Sequence, residues 1–188
     1  MKIGLIGCGT IVDALVRSIA AHGHSIFVSE RGAAISKALA DSFDNVARAV
    51  NQDVISNSDV IVIGLVDSVA IETLSELKFS PDQRVISVMA NMSLEEVQRL
   101  VAPAKADAVM IPFPGIANGG SPILVQGTND LVRHFWGAEN SLFDLATKTE
   151  LDAYLCAQAV LSPVSRMIGE AADWLAPKLQ DPSQGEAF

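Results

Sequence analysis

Basic residues are scarce in this chain of 188 residues: 13 Lys and Arg stand against 22 Asp and Glu, a formal charge of −9. The few cations form no cluster, so neither nucleic acid nor an anionic membrane surface is expected as a partner, because both need a basic patch. Cysteine is scarcer still. Cys8 and Cys156 lie far apart, which argues against a disulfide framework and for a reducing, cytoplasmic setting. The three histidines, His22, His24 and His134, offer no metal-ligand spacing. No Gly-x-Ser-x-Gly element supports Ser-His-Asp chemistry. Long apolar runs are also missing. Stretches such as 60–66 fall far short of the roughly 18 residues of a membrane span. The nearly uncharged start, 3–12, is broken by Gly4, Gly7 and Gly9 and followed by Asp13 and Arg17, which is unlike a signal peptide.

What is present is core. Hydrophobic residues make up 49% of the chain, enough to exclude a disordered protein. The length suits one domain plus an appendage. Short apolar runs alternate with amphipathic stretches. Strands are expected at 2–6, 25–29, 45–49, 59–65, 84–88, 108–111, 123–126 and 143–146. Helices are expected from Ile11 to Ile19, with Gly23 as C-cap, and at 35–43, 67–77 and 129–136. A further helix opens at Ser93, which makes a capping box with Glu96. Asp67 or Ser68 is the expected N-cap of the 67–77 helix. The 59–65 run is β-branched and apolar on both faces, as in a parallel strand covered by helices. The alternation predicts an α/β fold, a doubly wound, mostly parallel sheet with ligands at the strand C-termini. The pattern is purely helical from Thr149 onward, so the expected division is an α/β domain at 1–148 and a helical segment at 149–188.

Gly7-Cys8-Gly9-Thr10-Ile11 follows the first strand and opens the first helix. In that context the glycines carry a mechanism. Gly7 permits the tight turn, and Gly9 lets the backbone approach a pyrophosphate held on the N–H groups of the helix N-terminus. Val12 stands where the pattern has its third glycine. Ser29-Glu30-Arg31 ends the second strand, about 20 residues on, where ribose is met. Glu30 favours NAD; Ser29 and Arg31 favour NADP; both cofactors stay open. Cys8 has no histidine near it in sequence and reads as a small filler beside the cofactor rather than a nucleophile. His22 and His24 read as solvent-facing and His134 as packing. The loop 112–122, stiffened by prolines, follows a strand. Pro112, Phe113 and Pro114 read either as one wall of a substrate pocket or as a rigid connection.

The order and spacing of these segments resemble the pyrroline-5-carboxylate reductase family. The opening strand and glycine turn, the Ser58–Val66 strand, the Arg84–Glu96 segment (like "V-I-S-x-x-A-G-x-S-L-E") and the Met110–Gly120 stretch carry the resemblance. Asp152-Ala153 and Glu170-Ala171 match the first long helix of the family's dimerisation domain. The resemblance implies a Rossmann domain, the start of a helical dimerisation domain, and hydride transfer from NAD(P)H to a cyclic imine, forming proline. It places Gly7, Gly9, Thr10 and Ile11 on the pyrophosphate and Glu30 and Arg31 on the adenosine ribose. It puts Leu65, Val66, Ala90 and Asn91 along the dinucleotide towards the nicotinamide.

Departures accompany it. The family's "K-P" after the fourth strand is Asp67-Ser68. Phe113 replaces a loop asparagine. Ala159–Val164 replaces most of "G-S-G-P-A-Y", and the "S-P-G-G" substrate loop falls beyond Phe188. No residue reads as an acid–base catalyst. Leu151, Tyr154, Leu155, Val160, Leu161, Val164, Met167 and Ile168, extended by Trp174 and Leu175, give an apolar surface that suits a homodimer. Pro163 is expected to kink or interrupt that helix. Two other readings stay open: a deazaflavin-dependent NADP oxidoreductase, and a non-catalytic nucleotide-binding or scaffold protein.

Overall fold

The computed structural model describes residues 1–187. Phe188, the last residue of the expected helical segment, lies outside the described residues. The chain divides into two compact units, residues 1–148 and the segment from Thr149 onward.

The first unit is built on one eight-stranded sheet of order β3-β2-β1-β4-β5-β6-β7-β8. The strands are β1 (Lys2–Ile6), β2 (Ser25–Ser29), β3 (Val46–Ala49), β4 (Val60–Ile63), β5 (Arg84–Ser87), β6 (Lys105–Pro112), β7 (Pro122–Gly127) and β8 (Ser141–Leu145). All neighbours are parallel except β6 and β7. The exception has a simple cause. Residues 113–121 are too few for the crossover a parallel neighbour needs, about a dozen residues or more, so the chain turns back beside β6. The connection holds a 3-10 turn, Pro114–Asn118.

Helices cover both faces: α1 (Thr10–Ile19), α2 (Ala33–Ser42), α3 (Asn51–Ser56), α4 (Asp67–Ser75), α5 (Leu94–Val101) and α6 (Asp130–Trp136). β4 is wholly buried, as expected of a strand covered on both sides. α1 buries Val12, Leu15, Val16 and Ile19 on one face. It ends through a short 3-10 turn at Gly23, whose φ of 73° is left-handed, the conformation that favours glycine at a helix end. α6 is tied to α1 by Trp136, whose indole N–H donates to Ser18 Oγ at 2.9 Å.

The Ser93–Glu96 capping box is formed: the Glu96 N–H donates to Ser93 Oγ, and the Ser93 N–H donates to Glu96 Oε2. The N-cap of α4 differs from the expectation. It is Val66, with no side-chain cap, because the helix starts at Asp67 itself. α3 was not anticipated from the sequence. It buries only Val54 and Ile55, too brief a pattern to display a helical period.

The second unit contains α7 (Lys148–Gln158, whose first residue belongs to the first unit), α8 (Leu161–Leu175) and α9 (Gln184–Ala187). The break between α7 and α8 falls just before Pro163, which then sits in the first turn of α8. There a missing N–H leaves no hydrogen bond unmade. Pro163 therefore follows an interruption rather than kinking a continuous helix.

Candidate functional site

In a doubly wound sheet the chain runs outward from β1 in one direction and then restarts at β4 on the other side. The crevice at this reversal, beyond the strand C-termini, is where ligands bind. Here β1 pairs with β2 on one side and β4 on the other. The glycine turn therefore opens onto the reversal point.

The turn is shaped by close approach. Gly7 has φ +90°, and a Cβ there would lie 2.5 Å from the Gly64 carbonyl oxygen. Gly64 leaves β4, and its N–H donates to Ile6 O at 2.8 Å. A side chain on Gly64 would meet Val12 Cγ2 at 2.6 Å. The missing third glycine of the motif is thus answered from across the sheet: Val12 is accommodated because residue 64 has no side chain. A Cβ on Gly9, by contrast, would meet nothing within 4 Å. Its open face lies at the N-cap of α1, which has no side-chain cap. The N–H groups of the first turn have no intrahelical acceptor and are free for an anion. Asp13, the acid of that turn, is held by Arg17 at 2.9 Å.

Gly9, Thr10, Ile11, Val12, Gly64, Leu65, Val66 and Val88 line an open cleft of about 520 Å³ of empty space. The structure thus brings together Gly9, Thr10, Ile11, Leu65 and Val66 of the expected dinucleotide residues. Gly7 and Cys8 form the buried floor of the turn. Burial, reinforced by the Asp13 charge, pushes the Cys8 thiol up to about 11. It is therefore held as a thiol, which fits a filler rather than a nucleophile.

Ser29 is placed differently from the expectation that it would meet a ribose phosphate. It is fully buried, and its Oγ accepts from the Gly7 N–H at 3.5 Å. It supports the glycine turn from beneath, because alternation along β2 points it inward. Glu30 and Arg31 are exposed. Arg31 Nη1 donates to Thr73 Oγ1 on α4 at 3.4 Å. Gly32, missed in the sequence reading, has φ +82°, and a side chain there would strike the Cys8 carbonyl. The β2–α2 loop is thereby pressed onto the glycine turn.

Ala90 and Asn91 follow β5, outside the cleft lining. Asn91 Nδ2 donates to Asp67 Oδ2 at 2.5 Å. Pro112 is buried at the end of β6, and Phe113 and Pro114 enter the 3-10 turn, which packs on α1. β6 runs parallel to β5, so this loop leaves at the same edge as the glycine turn. His22 is exposed, while His24 packs edge-on against Phe135, with ring centroids 5.3 Å apart. His134 is exposed and also edges Phe135, at 5.1 Å. Among the described residues no cluster of His, Cys, Asp and Glu could hold a metal, and no helix is long and apolar enough to cross a membrane.

Residues 2–91 match the family described as NADP oxidoreductase coenzyme F420-dependent. Among curated proteins, the pyrroline-5-carboxylate reductase of Escherichia coli (strain K12) is 29% identical over 126 residues, 63% of this chain and 47% of that one. Among solved structures, a 1-pyrroline-5-carboxylate reductase from Streptococcus pyogenes has a TM-score of 0.81 at 21% identity, covering 100% of this chain and 74% of that one. In sequence and fold the chain is similar to pyrroline-5-carboxylate reductases. The pyrroline carboxylate reductase of Plasmodium falciparum, solved with NADP bound, has a TM-score of 0.78 at 13% identity, over 100% of this chain and 73% of its own. A reductive aminase from Aspergillus terreus, solved with NADPH and ethyl levulinate, has a TM-score of 0.69 at 18% identity, over 93% of this chain and 72% of that one. The chain spans about half the length of the curated relatives it matches.

Proposed function

We propose that this pyrroline-5-carboxylate reductase-like chain is an NAD(P)H-dependent oxidoreductase that reduces a cyclic imine. The observation that carries the reading is the bare N-terminus of α1, opened by Gly9 at the reversal of the sheet. It fits a pyrophosphate on main-chain N–H groups, where the helix end favours negative charge. Thr10 and Ile11 flank that position. Leu65, Val66 and Val88 give the remainder of the cleft an apolar lining suited to a flat ring. Ala90 and Asn91 continue from β5 on that side. Glu30 and Arg31 end β2 at the ribose side.

When bound, the reduced nicotinamide supplies the hydride to the carbon of a C=N bond, and solvent completes the amine with a proton. The protein's part is to hold, orient and screen from water. Pro112, Phe113 and Pro114 lie at the same edge and form the side from which substrate enters. The N-terminal 148 residues act as the cofactor-binding domain, and the helical segment from Thr149 joins two copies of the chain in a cytoplasmic homodimer.

The test is titration of the purified chain with NADPH and NADH, followed by nicotinamide fluorescence, then turnover of cyclic imines. Micromolar binding of either cofactor and imine-dependent oxidation support the reading. Failure to bind either cofactor overturns it. The family match over residues 2–91 favours a second reading, in which a deazaflavin is the hydride partner. Hydride exchange between NADPH and a deazaflavin, without imine turnover, would select it.

A further inference from the structure

Asp67 and Asn91 leave the sheet at neighbouring points. Asp67 opens α4 four residues after the end of β4, and Asn91 lies four residues after the end of β5. The two strands are parallel neighbours, so both residues emerge at the edge that carries the cleft. Val66, which precedes Asp67, lines that cleft. Both side chains are exposed, and Asn91 Nδ2 donates to Asp67 Oδ2. The bond holds one carboxylate oxygen and fixes the rotamer of the group. Both positions also depart from the resembled pattern. Asp67 stands in place of a lysine, which reverses the charge, and Asn91 stands in place of a glycine. Two departures that meet in one hydrogen bond form a unit.

The cation nearest to this unit along the α5 side is Arg99, which lines a hollow with Ile71, Met92, Glu96 and Leu100 that shares no lining residue with the cleft. Residues 64–77, 85–98 and 106–132 contain no Lys or Arg. These stretches supply the outlets of β4, β5 and β6. Arg31 reaches α4 only at Thr73, six residues on and about 9 Å along the helix axis. The cleft lining itself carries no charged residue, so a ligand entering beside Val66 has the positioned Asp67 carboxylate as the adjoining charge on that side. A carboxylate on that ligand is repelled there, and a positive nitrogen is attracted.

Resting on the reading of the cleft as an imine-reducing site, we propose that the Asp67–Asn91 pair is a specificity element for cationic nitrogen. The preferred substrates are protonated imines without a carboxylate, and the products are the corresponding amines. Asp67 supplies the charge. Asn91 is a positioning residue that aims it.

The test compares two ligands of one ring size, pyrrolidine and proline, titrated calorimetrically into the full chain with and without saturating NADP. Pyrrolidine binds about two- to fivefold tighter than proline, the range of one partly solvated charge contact. Asp67→Asn keeps the size and hydrogen bonding of the side chain and brings that ratio close to one. Asn91→Ala lowers it part of the way. Because the readout is a ratio, general damage to the fold cancels. Equal or tighter binding of proline overturns the proposal, as does an unchanged ratio in Asp67→Asn or failure of both amines to bind. A charge-dependent ratio without turnover of any imine sustains the cation site and overturns the reductase reading, so the two failures are distinguishable.

Discussion

Val12 and Gly64 share one volume. A Cβ on Gly64 would lie 2.6 Å from Val12 Cγ2 and 3.1 Å from Val88 Cγ2. Val12 is 1% exposed and belongs to the main core, so it has little room to withdraw. Gly64→Ala is therefore an overpacking change. It is expected to cost about 1–3 kcal/mol in urea unfolding. It is also expected to push α1 away from β4 and so to weaken the NADPH binding proposed for the cleft. Val12→Ala makes room for the new methyl. The double variant should be more stable than the sum of the single changes by about 1 kcal/mol, the coupling expected of contacting residues. Simple additivity would show that Val12 and Gly64 do not constrain one another.

The same pair shows where sequence reading stops. The strand positions, the glycine turn and the capping box rest on local signals: apolar runs, glycine spacing and Ser-x-x-Glu. They were legible for that reason. The departure at Val12 was visible, but its remedy at Gly64 lies 52 positions away and exists only because β1 and β4 are neighbours. Ser29 ends β2 in the ribose position, which by sequence alone points to a cofactor contact. Its inward direction depends on the phase of the strand, and the run 25–29 is polar at both ends. α3 buries two adjacent residues, too few for a period. The Asp67–Asn91 bond joins the first residue of α4 to the loop after β5, and neither side chain has a local reason to predict the other.

Cys8 gives a pH-dependent prediction. Burial first, then the Asp13 charge, raise its thiol from 9.0 to about 11. The folded state therefore disfavours the thiolate more than the unfolded chain does. The resulting stability is complete below pH 9 and is lost as pH rises towards 11. In a Cys156→Ser background, which leaves Cys8 as the single thiol, iodoacetamide at pH 8 should label the native protein slowly and the urea-unfolded protein at the rate of a free thiol. Equal rates would mean that the glycine turn is open to solvent.

Asp107 and Asp130 both pair with Arg84, but they are buried to different degrees. Asp107 is 1% exposed and also pairs with Lys105 at 3.0 Å. Asp130 faces solvent, and its carboxyl is held below the usual range chiefly by the Arg84 hydrogen bond. Removing a buried partner leaves cationic groups without compensation, whereas water replaces an exposed one. Asp107→Asn is expected to cost about 2–4 kcal/mol in urea unfolding. Asp130→Asn should cost less than about 1 kcal/mol, most of it at low salt. Equal costs would place the strength of this cluster at the surface rather than under the sheet.

α8 presents the last testable surface. It has no buried residue, and Met167, Ile168 and Trp174 are 66%, 65% and 66% exposed, with Leu161 and Val164 about half exposed. Residues 161, 164 and 168 follow helical spacing, so they share one face. An apolar stripe of this kind is a characteristic of interfaces. A second copy of the chain satisfies it by symmetry, with the same face used twice. Sedimentation velocity of the purified chain should therefore give a dimer, and Ile168→Glu combined with Val164→Glu should give a monomer with unchanged far-ultraviolet circular dichroism. The charges cannot unfold the helix by burial, because neither position is buried. A wild-type monomer, or a dimer that survives both substitutions, would remove α8 as the contact between copies.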